Sequence, residues 1–378
     1  MPARATKRGA ERTSLDVDCD VLVCGASFAG LTVARALEGS GARVMVLDRY
    51  EIGERQTSAC AAPTEWLERL GLASSVRQTF DELVVHTPRS SVRWSLPFTF
   101  STFDYAELCA LLRAGGRSSE FETATVAGFA DGGVATDRGT IRASYVVDAL
   151  GWRRVLSSAP SPIQPPNARL SRGLEVHPAG NGEDMEFWID RRYIRAGYAW
   201  SFPAGEELRV GVGSFEPRDH VKVPTLALAA ELDLQAGSFQ GNWIPHKLRA
   251  ATENGVFFVG DSAGHCLPLT AEGIRPAFYF ALALGRELRA ALAGHSTREQ
   301  ALARYGAFSR RHAPQFGFML WAQHLAGRTT GRAPLNWLVE RFDSRRLSHW
   351  VFERYYRITP PPAHEWPVTP AEALLAGR

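Results

Sequence analysis

Hydrophobic residues in this chain follow three spacings, and each spacing predicts a different kind of element. Unbroken apolar runs at residues 20–24, 43–47, 144–151 and 256–259 predict short strands buried on both faces, as in a parallel sheet. Alternating runs at 83–85, 92–96, 174–177, 185–189, 193–195, 197–202 and 208–215 predict antiparallel strands with one covered face. Strands at 121–130 and 134–136 flank Asp131-Gly132-Gly133, a hairpin turn. A helical spacing appears at 104–113, with Leu108, Leu111 and Leu112 on the inner face. It returns at 225–236, from Gly273 to 293, at 300–329 and at 335–358. Thr64 is an N-cap candidate for a helix through Leu70, ended by Gly71.

A chain of 378 residues with 45% apolar residues has enough material for two folded domains. The formal charge of +3 is too small to argue for nucleic acid. Cys19, Cys24, Cys60, Cys109 and Cys266 are scattered without a C-x-x-C, which argues against a disulfide framework and structural zinc. Residues 1–16 are polar and basic and read as a flexible lead-in to a cytoplasmic protein. No apolar run reaches the length of a membrane span.

The first buried run ends in Cys24-Gly25-Ala26-Ser27-Phe28-Ala29-Gly30. Gly25 suits a tight turn, and Gly30 and Ala34 let the following helix lie close to the strand. The helix N-terminus then offers free N–H groups to a pyrophosphate. The second strand ends at Asp48, placed to accept a ribose hydroxyl. Ser27 stands where this fingerprint usually has its middle glycine. Much later come Gly260-Asp261 and then Gly273-Ile274 at the start of a helix.

With this second stretch the chain resembles the FAD-binding oxidoreductases of the para-hydroxybenzoate hydroxylase superfamily. The resemblance implies that Gly260 and Asp261 bind the ribityl chain and that the helix after Gly273 points at the flavin ring. The cofactor-binding residues expected are Gly25, Ser27, Phe28, Ala29, Gly30, Asp48, Arg49, Arg55, Val126, Gly151, Gly260, Asp261, Gly273 and Ile274. Two departures stand out. Leu150 replaces the aspartate usual before Gly151, leaving Asp148 as a candidate substitute, and residues 98–103 lack the arginine usual before the helix at 104. No second glycine-rich nucleotide fold is present, so a reduced nicotinamide or another electron donor is expected to bind transiently.

Gly197-Tyr198-Ala199-Trp200-Ser201-Phe202-Pro203 resembles the Y-x-W-x-F-P pattern of the geranylgeranyl reductase branch. Tyr198, Trp200 and Phe202 share one strand face. Together with Pro203 they form a candidate apolar wall for a prenyl chain, or else core filler. Ala204 stands where that branch often has lysine. Halogenase relatives place a catalytic lysine between the glycine turn and the aromatic motif, and this chain has none from Asp48 to Pro203. Cys60 sits where the branch often has a cysteine near the flavin. It is a tentative catalytic residue, a flavin-tuning or proton-donating thiol, or a small buried residue. Thr57, Ser58 and Arg55 are alternatives for contacting flavin or substrate. His265 reads as a structural histidine.

The fold expected is α/β, a Rossmann-type FAD-binding domain with an inserted antiparallel β-sheet substrate domain and a helical C-terminal region. The pieces are 17–82, 100–160 and 245–310 for the cofactor, 83–99 and 165–244 for the substrate, and 311–378 for the helices. Residues 160–166 form a proline-rich crossing between domains. Residues 335–358 mix aromatics with arginines, as in a helix with a solvated face or one that touches a membrane surface. The function expected is reduction of C=C bonds of an isoprenoid or other apolar substrate. The alternatives are hydroxylation of an aromatic or polyketide-like substrate by a flavin-dependent monooxygenase, and non-catalytic prenyl binding.

Overall fold

The computed structural model describes residues 13–158, 170–235, 237–330 and 332–363. The proline-rich crossing at 160–166, residues 1–12 of the lead-in, Ala236 and residues 364–378 lie outside the described residues.

Two eight-stranded sheets carry the molecule. In the first, β1 (Val17–Cys24), β2 (Val44–Asp48), β6 (Glu120–Thr123), β9 (Gly139–Asp148) and β16 (Val256–Phe258) run parallel in the order β16-β9-β1-β2-β6. Leu22 sits between Met45 and Val146. β15 (Thr252–Glu253) extends one edge, and the hairpin of β7 (Val126–Ala130) and β8 (Gly133–Thr136) pairs onto β9. Val21–Val23, Val46, Val147, Phe257 and Phe258 are fully buried, as parallel strands covered on both faces are.

The helix α1 (Phe28–Ala36) packs against α5 (Ile274–Leu292). A Cβ on Gly285 would stand 2.3 Å from that of Ala36, and one on Gly30 would stand 1.8 Å from the carbonyl oxygen of Gly25. The small residues therefore set how near α1 lies to both strand and helix. Two further helices, α2 (Thr64–Arg69) and α3 (Tyr105–Ala114), complete this layer. Asp104 caps α3 by accepting from the Glu107 N–H. Thr64 is not a cap: it is the first helical residue, and its hydroxyl bonds to those of Ser101 and Thr99 at 2.8 and 2.7 Å.

The second sheet contains β3 (Ala61–Pro63), β4 (Val76–His86), β5 (Ser91–Phe103), β10 (Leu170–Val176), β11 (Glu186–Trp188), β12 (Gly197–Pro203), β13 (Leu208–Ser214) and β14 (Phe239–Pro245). Its order is β14-β10-β13-β12-β11-β4-β5-β3, antiparallel except where β11 meets β4. The chain division read from the sequence placed residues 61–63, 76–82 and 100–103 with the nucleotide unit, but they join this sheet. One face packs on α4 (Lys222–Glu231) through Ala199, Val210, Val212 and Leu228, and the other faces a cavity.

Several expectations need correction. Residues 121–130 form two strands. Residues 193–195 are a turn, because Asp190 accepts from the N–H groups of Arg192, Tyr193 and Ile194. β14 went unread because its glycine, asparagine and proline look like a loop, which an edge strand tolerates. The expected helices at 300–329 and 335–358 are each two: α6 (Arg298–Arg310) and α7 (Ala313–Thr329), then α8 (Ala333–Arg341) and α9 (Arg345–Tyr356). Pro314 lacks the N–H that a continuous helix would need there.

Candidate functional site

A cavity of about 1790 Å³ begins at the C-terminal ends of the parallel strands, passes between the two sheets and reaches α7, α8 and α9. Parallel sheets place ligands at that end because helix N-termini collect there.

At the strand end, Gly25 has φ +113°, and a Cβ would lie 2.2 Å from the Ala149 carbonyl oxygen. Ser27, Phe28 and Ala29 line the cavity at the N-terminus of α1, and no side chain caps that terminus. Gly25 and Gly30 do not line it; they allow the turn and the close packing behind it. Asp48 also lines the cavity. Its two oxygens accept from the N–H groups of Ala26 at 2.8 Å and Tyr50 at 3.0 Å, and burial raises its pKa from the ordinary carboxylate value. Arg49, Arg55 and Val126 face the same space, as does Gly151 at φ +83°. Arg55 stacks over the ring of Tyr50.

Opposite α1, Gly260 and Asp261 line the cavity beside Gly273 and Ile274. The N-terminus of α5 is also without a side-chain cap. Among the described residues, no side-chain hydrogen bond reaches the Asp261 carboxylate. Burial pushes its pKa up to about 6, with Arg249 pulling the other way. Asp148 does not substitute for the missing aspartate. It is fully buried away from the cavity and accepts from Ser262 Oγ at 2.6 Å and from the N–H groups of Leu150 and Leu156.

Tyr198, Trp200 and Phe202 all line the cavity, with Phe187, Met185 and Trp94 nearby. The Trp200 indole lies over β13, where a Cβ on Gly211 would be 2.3 Å from it. Strand alternation explains both facts: Val210 and Val212 point at α4, and Gly211 and Gly213, which alternate with them, point at the indole. Pro203 is outside the cavity lining. Its carbonyl oxygen accepts from Thr102 Oγ1 at 2.7 Å, which closes the wall from behind.

Cys60 lines the cavity with φ +52°, which is uncommon for a residue with a Cβ. Its carbonyl oxygen accepts from the Phe103 N–H and from Arg209. Burial raises its thiol pKa well above the usual value, more than Arg209 lowers it, so the thiol keeps its proton at neutral pH. Thr57 and Ser58 reach the cavity as well. His265 does not. It is fully buried, stacked on Phe280 at 3.7 Å and bonded to Ser309 at 3.0 Å.

Sequence reasoning missed a polar knot at the start of α5. Arg275 is fully buried and bonds Glu272 through two contacts of 2.7 Å. The Tyr355 hydroxyl donates to Glu272 and bonds Thr270 Oγ1 at 2.9 Å, while Tyr198 donates to the Thr270 carbonyl oxygen at 2.6 Å. This ties α9 to the aromatic wall and to the loop before α5. The Glu-x-x-Arg spacing at a helix start was the visible signal, but its partner lies 83 residues away.

No protein-family model matches the chain. A digeranylgeranylglycerophospholipid reductase of Methanothrix thermoacetophila is 23% identical over 319 residues, covering 76% of this chain and 82% of that protein. One from Methanopyrus kandleri is 24% identical and covers 89% and 93%. The crystal structure of a geranylgeranyl bacteriochlorophyll reductase-like protein from Thermoplasma acidophilum superposes with TM-score 0.78 at 18% identity, covering 95% of this chain and 99% of that one. Over most of its length the chain is similar to geranylgeranyl reductase-like FAD-dependent oxidoreductases. A p-nitrophenol 4-monooxygenase from Pseudomonas putida also superposes, with TM-score 0.72 at 15% identity, covering 92% of this chain and 100% of that one. At such identities the superpositions establish the fold alone.

The residues present fit FAD. Two uncapped helix N-termini face one crevice, the Asp261 carboxylate lining it accepts no side-chain hydrogen bond among the described residues, and the backbone at Gly25 leaves no room for a side chain. Among the described residues no cluster could hold a metal ion.

Proposed function

We propose that the protein reduces carbon–carbon double bonds of an isoprenoid or similarly apolar chain. The observation that supports this most is the aromatic wall of Tyr198, Trp200 and Phe202 in a cavity that continues to α7–α9. The reductase names of relatives aligned over most of the chain point the same way.

Bound FAD would supply hydride transfer, and the protein supplies position and electrostatics. The N-terminus of α1 with Asp48 and Val126 would hold the adenosine and pyrophosphate. Asp261 would take a ribityl hydroxyl, and the N-terminus of α5 would favour electron density on the near edge of the ring. The wall would exclude water and hold an extended apolar chain along the cavity. Cys60, which lines the cavity and holds its proton, would be the donor of a proton to the substrate. The electron donor, a reduced nicotinamide or another carrier, binds only in passing.

The halogenase alternative loses further ground, since neither Lys222 nor Lys247 lines the cavity. A monooxygenase remains the second reading because of the p-nitrophenol 4-monooxygenase neighbour. The expected peripheral membrane contact belongs to the reductase reading, because prenyl chains reside in bilayers. Among the described residues, no helix is long and apolar enough to cross one. The test is spectroscopic. Anaerobically reduced holoprotein mixed with a geranylgeranyl substrate should recover the oxidised flavin spectrum. Reoxidation only after oxygen is admitted, for every isoprenoid tried, would remove the reading.

A further inference from the structure

Nine large hydrophobic side chains are exposed among the described residues, and six of them sit on α7, α8 and α9: Phe318, Trp321, Leu325, Trp337, Leu338 and Trp350. The distribution is therefore not that of scattered surface residues. All but Trp337 also line the cavity, so the exposed apolar surface is the cavity's rim. Phe318, Trp321 and Leu325 follow one another on the same face of α7, with the first two rings 5.7 Å apart.

Charge is distributed the same way. From Arg310 to Arg357 there are nine arginines against three acids, a local excess of six, while the whole chain carries only +3. The rest of the chain is therefore net negative by three. Two of these arginines lie over exposed tryptophans, Arg341 over Trp337 at 4.9 Å and Arg354 over Trp350 at 4.4 Å. Tryptophan under arginine on an outward face matches the headgroup level of a membrane, where one end of each pair is wet and the other apolar.

We propose that the rim formed by α7, α8 and α9 docks on a bilayer containing anionic phospholipid, and that the cavity opens there into the acyl layer. This rests on the reading of the cavity as a site for an apolar chain. An apolar substrate would then pass from lipid to the aromatic wall without crossing water. Because Arg354 lines the cavity over Trp350 and Arg341 lies over Trp337, anionic lipid also orients the protein with the opening downward.

The experiment uses the full-length, FAD-loaded protein and sedimentation with vesicles of phosphatidylcholine alone or mixed with phosphatidylglycerol. Binding should be at least about tenfold stronger to the anionic vesicles and should weaken with added salt. Arg345→Glu, Arg346→Glu and Trp337→Ser are exposed and outside the cavity lining. Each arginine change should weaken binding by about fivefold or more. All three should leave melting temperature, flavin content and turnover of detergent-dispersed substrate unchanged. Equal binding to neutral and anionic vesicles, or none to either, overturns the proposal. So does light scattering that shows a dimer which these substitutions dissociate, since a second copy then covers the rim. Vesicle binding is read without turnover, so a protein that docks yet reduces no isoprenoid defeats the functional reading and leaves the docking surface standing.

Discussion

Trp200 Nε1 donates to Glu175 Oε2 at 3.2 Å, and both residues are buried. The other Glu175 oxygen lies 2.9 Å from His177 Nε2. A polar anchor thus fixes the middle ring of the aromatic wall, while Gly211 provides the flat surface beneath it. A ring held this way has a position to keep, which filler does not need.

Trp200→Ala tests the wall. Losing a tryptophan from a closed core costs about 3–5 kcal/mol. Because Trp200 borders open space, the fold should lose less, while affinity for an apolar substrate falls and flavin content holds. Gly211→Ala should act in the same direction by pushing the indole out of place. Calorimetry, substrate titration and the flavin absorbance ratio read the three quantities separately. Collapse of the fold in Trp200→Ala would return these side chains to the core.

Asp261 gives a pH prediction. Its folded pKa of about 6 lies above the ordinary 3.8, so the flavin-free fold binds the proton more tightly than the unfolded chain does. Stability from this residue is present below about 4 and is lost as pH rises to about 6. Asp261→Asn should therefore stabilise the flavin-free protein at pH 7, by about 1–2 kcal/mol, and also lower FAD retention. Melting curves across pH, set beside flavin content, check both signs. A variant that keeps FAD fully would remove Asp261 from the cofactor site.

Cys60→Ser tests the proton donor. General acid catalysis contributes about 10²–10⁴-fold, so turnover should fall by at least about a hundredfold with flavin content and melting temperature near wild type. Unchanged turnover would leave Cys60 as a lining residue.

Elements with strong local signals were legible in the sequence. The glycine turn, the buried strands around Leu22 and the start of α5 follow from short-range rules, while the role of the Gly260-Asp261 corner was implied by the family resemblance. The aromatic face at Tyr198, Trp200 and Phe202 followed from alternation alone. What was hidden depends on partners distant in the chain. Asp148 looked like a ligand because its spacing was near right, and only the contact with Ser262, 114 residues on, shows that its oxygens are used elsewhere. Glu272 and Tyr355 are joined in the same long-range way. β14 carries loop-like residues because an edge strand permits them. The helical breaks near Pro314 and Ser344 were visible as residues, but the apolar spacing continues through them.

The central claim is that this site adds hydrogen to an apolar carbon–carbon double bond. Its most direct test is the product mass after incubating holoprotein, a reduced donor and a geranylgeranyl substrate, once without oxygen and once under ¹⁸O₂. The account predicts a gain of two hydrogens per bond without oxygen and no heavy oxygen in any product. A product that forms only under ¹⁸O₂ and carries the label would contradict it and make the protein a monooxygenase.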